Sequence, residues 1–108
     1  MVVVEGWHRV LGAGELEEGV PRLVEVAGRL VAVALVGGEL VAVDGQCPHK
    51  FGDLSQGAWK DGCVTCPVHT ATFDCASGAP KPGSEWAGHL PVHEARINDG
   101  NVEVRLNG

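Results

Sequence analysis

The chain has 108 residues, with 8 basic against 14 acidic side chains, a formal net charge of −6, and 44% hydrophobic against 20% charged residues. That length fits a single domain able to bury its own core, so no metal or staple is needed merely to fold. The negative charge argues against nucleic acid and anionic membrane as partners.

The opening Met1-Val2-Val3-Val4-Glu5 is too short an apolar run for a signal segment, and no basic stretch precedes it. The densest apolar stretch, Val31 to Val36, ends at Gly37-Gly38, well short of the ~18 residues that span a bilayer. A cytoplasmic location is therefore expected, and there four cysteines favour metal binding or burial over disulfides. Trp7 to Leu11 reads as a first, edge strand. The segment "GAGELEEGVPR" reads as a loop or one short turn stopped by Pro21. Within "RLVEVAGRLVAVALVGGELVAVDG" three valine-rich strands, about 22–27, 30–36 and 39–44, are split by Ala27-Gly28-Arg29 and Val36-Gly37-Gly38-Glu39. A closing hairpin, "VHEARINDGNVEVRL", turns at Asn98-Asp99-Gly100-Asn101. Between these groups, about 45–88, lie all four cysteines and four of the six prolines. The pattern predicts an all-β single domain over 1–108. Its basal part is about 1–44 and 89–108, and a loop-rich insertion, about 45–88, carries the site.

Two short motifs stand out in the insertion. Cys47-Pro48-His49 and Cys66-Pro67-Val68-His69 together read C-x-H, sixteen residues, C-x-x-H. Each supplies one thiol and one imidazole, and the proline after each cysteine biases that cysteine toward extended backbone and stiffens the loop. Two stiff loops of this kind are suited to pinching one metal centre between them. Three readings compete on the residues alone: buried free cysteines with unrelated histidines, a Cys2His2 zinc site, and a Rieske [2Fe–2S] centre in which two histidines replace two cysteines on one iron.

On these motifs the chain resembles the small Rieske ferredoxins that serve bacterial aromatic-ring dioxygenases. "CPHKFGDLSQG" is similar to that family's first cluster loop. "CPVHTATFDCASGAPKPG" is similar to its second loop, the following strand and a proline-bearing loop. The resemblance implies a Rieske-like fold, with antiparallel sheets forming a basal sandwich or barrel and an inserted cluster-binding subdomain. It implies one [2Fe–2S] cluster per chain. Cys47 and Cys66 would bind the inner iron as thiolates, and His49 and His69 the outer iron through ring nitrogens. Leu54 would cover the cluster from one side and Pro80 to Gly83 would form a lid. Relatives of high potential carry two linking cysteines, which would fall at Gly52 and Val68, and a serine and a tyrosine that donate to sulfur, at Ala71 and Phe73. None of these is present, so a potential toward the roughly −150 mV end of the Rieske range is expected. Where the family has glycine after the second histidine this chain has Thr70, a strained choice if positive φ is required there.

The other cysteines, Cys63 and Cys75, read as small buried hydrophobes in the strands flanking the second loop. His8, His89 and His93 read as surface residues. The implied function is a one-electron carrier, itself no enzyme. It would take electrons from a flavin-dependent reductase and pass them to a terminal oxygenase. Docking would centre on His49 and His69, with Lys50, Phe51, Gln56, Pro80 and Lys81 at the rim. Without its partners the chain would be a monomer. The rival functions are a Rieske-like small subunit of an assimilatory nitrite reductase and a zinc or scaffold module.

Overall fold

The computed structural model describes residues 6–48, 52–68 and 70–107. Among them the chain forms β1 (His8–Gly12), β2 (Arg22–Val26), β3 (Arg29–Val36), β4 (Glu39–Asp44), β5 (Ala58–Lys60), β6 (Cys63–Thr65), β7 (Thr72–Asp74), β8 (Val92–Asn98) and β9 (Asn101–Arg105). Single 3-10 turns lie at Ala13–Glu15, Leu54–Gln56 and Glu85–Ala87. No helix of the described residues is long and apolar enough to cross a membrane.

Four tight hairpins organise these strands. Each turns on a pair of residues with positive φ: Ala27-Gly28, Gly37-Gly38, Asp61-Gly62 and Asp99-Gly100. That backbone matches the right-handed twist of the flanking strands, which is why glycine occupies the second position of every pair. The strands form two antiparallel sheets. The larger runs β1-β9-β8-β4-β3-β2, and its end strands β1 and β2 approach each other, so the sheet nearly closes into a barrel. The smaller runs β5-β6-β7.

The run "VAVALV" of β3 is apolar throughout because both of its faces are buried. Val31 and Val33 point into the barrel with Ala42, Val102 and Val104. Ala32 and Ala34 point outward, where they pack with Val43, Trp59, Val64 and Phe73 of a second core. Leu54 and Phe73 are fully buried in that second core, and each contributes about 1.5–3 kcal/mol by leaving water. The small sheet is thus welded to the barrel wall, and the loops it carries are held against a rigid base.

The sequence-predicted strands agree with these to within a residue or so, and Ala13–Glu15 is the expected short turn. Three expectations need correction. β5 was not anticipated, although Asp61-Gly62 between it and β6 is a strong hairpin signal. Cys75 lies just past the end of β7, in a turn where its N–H donates to the Gly62 carbonyl at 2.9 Å. His93 is not a surface residue. Its side chain is fully buried, Nε2 lies 2.8 Å from Asp44 Oδ1, and Nδ1 accepts the Asn107 N–H at 3.0 Å. Since Nδ1 is an acceptor, Nε2 carries the proton and donates to the carboxylate.

Candidate metal centre

Each cysteine of the two motifs stands at the neck of a small loop, and the two necks are built alike. The Cys47 N–H donates to the Gly52 carbonyl at 2.8 Å, and the Cys66 N–H donates to the Ala71 carbonyl at 2.8 Å. Both bonds join residue i to residue i+5. Below the first neck, Gln46 bridges Asp53 and the Leu54 N–H donates to the Gly45 carbonyl at 2.9 Å. Below the second, Thr65 and Thr72 pair across β6 and β7, their hydroxyls 3.2 Å apart. Asp53 caps the turn that follows the first loop, its Oδ1 accepting from the Ser55 N–H and hydroxyl at 2.9 and 2.6 Å.

The loops meet at Gly52. A Cβ there would stand 2.8 Å from Cys66 Sγ, 2.9 Å from Val68 Cγ2 and 3.4 Å from Val68 Cβ. Only a residue without a side chain lets the first loop come this close to the second cysteine's sulfur. Cys47 and Cys66 are both fully buried, and Leu54 shares their apolar cluster. None of the four cysteines is in a disulfide.

His49 and His69 lie outside the described residues, as do the rim residues Lys50 and Phe51. Among the described residues no group of three His, Cys, Asp or Glu side chains could hold a metal ion, since the motifs contribute only their two cysteines there. The donor chemistry nonetheless suits an iron–sulfur centre. Two buried thiols sit on stiff, hydrogen-bonded necks, and a glycine keeps the space beside one of them clear of any Cβ.

The surroundings of the second loop bear on its chemistry. Thr70 has φ 58°, so the left-handed backbone for which glycine is the usual choice is adopted by a β-branched residue, and the loop stores strain. Ala71 and Phe73 are fully buried and have no side-chain donor. The Pro80–Gly83 loop lies beside the strand leaving the second cysteine loop. Pro80 bridges Phe73, and the Lys81 N–H donates to the Thr72 carbonyl at 2.8 Å. Gln56 is exposed, while Pro80 and Lys81 are half-buried.

Cys75 is 3% exposed, and burial pushes its thiol up to about 12, with the neighbouring Cys63 adding to the shift. Cys63 is only half-buried, because it pairs with Asp74 while Val64 and Phe73 turn inward to the core. The packing role expected of both cysteines fits Cys75 better than Cys63. His89 is exposed, with Nε2 3.0 Å from the Ser77 carbonyl. His8 is half-buried, and its Nε2 is buried with no hydrogen-bond partner among the described residues.

Sequence reasoning missed the polar group at the foot of the first loop. Arg29 grips Asp44 with Nε on Oδ1 at 3.0 Å and Nη2 on Oδ2 at 3.1 Å, while His93 holds Oδ1 from the other side. Arg29 and Asp44 border a cleft of about 290 Å³ that also touches Gly28, Leu30 and Gln46. The three side chains pin β3, β4 and β8 together three residues before Cys47.

A near-closed antiparallel barrel bearing a small sheet with paired cysteine loops is the architecture of an iron–sulfur electron-transfer domain, and residues 6–101 match the Rieske [2Fe-2S] domain family. The chain belongs to that family, whose members carry a [2Fe–2S] cluster. Among its relatives is the anthranilate 1,2-dioxygenase ferredoxin subunit of Burkholderia cepacia, 37% identical over 102 residues, covering 93% of this chain and 92% of that protein. It is similar in structure to a chain in the complex of reduced oxygenase and oxidized ferredoxin of carbazole 1,9a-dioxygenase. The TM-score is 0.83 at 29% identity, covering 94% of each chain. It is likewise similar to the Sphingomonas yanoikuyae B1 ferredoxin, with a TM-score of 0.82 at 27% identity, covering 94% of this chain and all of that one.

Proposed function

We propose that the chain is the ferredoxin of a ring-oxygenase system, a one-electron carrier that draws electrons from a flavin-dependent reductase and hands them to a terminal oxygenase. We assign the cluster ligands as Cys47 and Cys66 through sulfur and His49 and His69 through ring nitrogen. When bound, the cluster takes up and releases a single electron. The observation that carries this reading is the pair of fully buried cysteines on matching loop necks that converge at Gly52. The relatives support it as well, being ferredoxins along nearly their whole length. The same relatives favour a carrier over a nitrite reductase subunit or a zinc module.

The chain's own residues set the conditions for transfer. The neck hydrogen bonds hold both cysteines in fixed positions, so little reorganisation accompanies a change of charge. Leu54, Phe73 and Leu90 keep water from the cysteine side. Ala71 and Phe73 offer no hydroxyl to stabilise added negative charge, which favours a low midpoint, toward roughly −150 mV. Residues about 45–88 act as the site-bearing part of one domain, and the barrel strands on either side as its base. We place the protein in the cytoplasm, because four thiols with no disulfide among them suit a reducing compartment. Film voltammetry of the purified protein tests the reading: a one-electron wave at low potential supports it, and a midpoint above zero contradicts it.

A further inference from the structure

Resting on the carrier function proposed above, we propose that Trp86 is the anchor with which the chain docks its electron acceptor, entering an apolar pocket of the oxygenase that is rimmed by basic side chains. Trp86 is 52% exposed, whereas Trp59 is 4% exposed in the core. Its ring is nevertheless fixed. Nε1–H donates to the Gly83 carbonyl at 2.9 Å, the Glu85 carboxylate accepts the Gly83 N–H at 2.8 Å, and the next residue, Ala87, is buried. An indole already held in one orientation loses little freedom when a partner covers it.

The turn that carries Trp86 is bonded to the second cysteine loop. Ser84 Oγ accepts the Thr72 N–H at 3.0 Å, and the Lys81 N–H donates to the Thr72 carbonyl at 2.8 Å. Thr72 follows directly on the Cys66–Ala71 loop, so anchor and loop form one rigid unit. Within that loop Val68 is a second exposed apolar side chain, at 58%. Charge selects the partner. Residues 45–88 carry three basic against four acidic side chains, while the rest of the chain carries five against ten. An exposed indole on a nearly neutral segment of an otherwise acidic chain fits an apolar pocket set in a basic surround, with charge steering the encounter and burial of the ring holding it.

The test mixes the chemically reduced chain with the oxidised oxygenase component of the Burkholderia cepacia anthranilate 1,2-dioxygenase system in a stopped-flow instrument. The rate of electron transfer is followed against concentration. Trp86→Ala raises the half-saturating concentration about 30-fold, the scale of a binding hot spot, and leaves the limiting rate, midpoint and visible spectrum unchanged. Trp86→Phe, which keeps an aromatic ring, loses less. Ile97→Ala, at an equally exposed apolar residue of the β8–β9 hairpin, changes nothing. A half-saturating concentration unaltered in Trp86→Ala overturns the proposal. So does a shifted midpoint or spectrum in that variant, which makes Trp86 a prop for the cysteine loop. A wild-type chain that passes no electron to the oxygenase overturns the underlying carrier reading, and with it the proposal, a result distinct from normal transfer by both proteins.

Discussion

Gly52→Ala adds one methyl group where the two cysteine loops meet. On the backbone as it stands, the new carbon falls 2.8 Å from Cys66 Sγ and 2.9 Å from Val68 Cγ2. Comfortable contacts between such atoms begin at about 3.5 Å, so the overlap is roughly 0.6–0.7 Å on both sides. The two collisions differ in consequence. Val68 is 58% exposed, and its side chain is free to swing into solvent. Cys66 is fully buried, and its backbone is held by the bonds from Cys66 N–H to Ala71 and from Thr70 N–H to Cys66, at 2.8 and 3.0 Å. The sulfur is therefore displaced from the position proposed for it as ligand. Overpacking of this kind costs about 1–3 kcal/mol, or a fall in Tm of roughly 5–15 °C for a domain of this size. Iron and acid-labile sulfide per chain, visible absorbance and thermal unfolding are measured on Gly52→Ala, Val68→Ala and the double variant. Gly52→Ala folds but holds less iron and sulfide than the wild type, Val68→Ala matches the wild type, and the double variant stays deficient. Restored iron content in the double variant would refute the reasoning, because Val68 and not the sulfur would then be the obstacle.

Thr70→Gly relieves the strain of a β-branched residue at φ 58° and raises the unfolding free energy by about 1 kcal/mol, read from denaturant melts. Phe73→Tyr places a hydroxyl where the chain now has none; if the donor bond is worth about 1.4 kcal/mol more to the reduced state, the midpoint rises by about 59 mV. Cys75 is pushed up from 9.0 to about 12 in the folded state, so between those values the unfolded chain releases its proton and the folded chain does not. Stability is then fully present below pH 9 and falls by up to about 1.4 kcal/mol per pH unit above it, a loss that Cys75→Ala removes from alkaline melts. In the native protein iodoacetamide labels the half-buried Cys63 and spares Cys75.

Much of the fold is legible in the sequence because local chemistry and global structure agree. The Ala27-Gly28, Gly37-Gly38 and Asp99-Gly100 pairs mark their turns, and the valine runs between them have no stable alternative to a strand. β5 escaped notice because it is three residues long and offers a single inward side chain, Trp59. Ligand type and spacing mark the cysteine motifs as a candidate metal site, and the family resemblance narrows that site to a [2Fe–2S] centre. What their spacing does not reveal is that Gly52 lies against Cys66, a contact made only when the two loops are brought together across the small sheet. His93 and Asp44 are 49 residues apart, and neither carries a local sign of its partner, so the buried pair at the foot of the first loop is visible only in three dimensions.

The proposed ligand set is two cysteines and two histidines of this chain on one [2Fe–2S] cluster. Pulsed electron paramagnetic resonance of the reduced protein, grown with ¹⁵N-histidine, tests it most directly. The expected spectrum shows a paramagnetic centre with low average g, coupled to two histidine nitrogens, with one coupling lost in His49→Cys and one in His69→Cys. A reduced protein that is silent, or a centre with no histidine coupling, contradicts it.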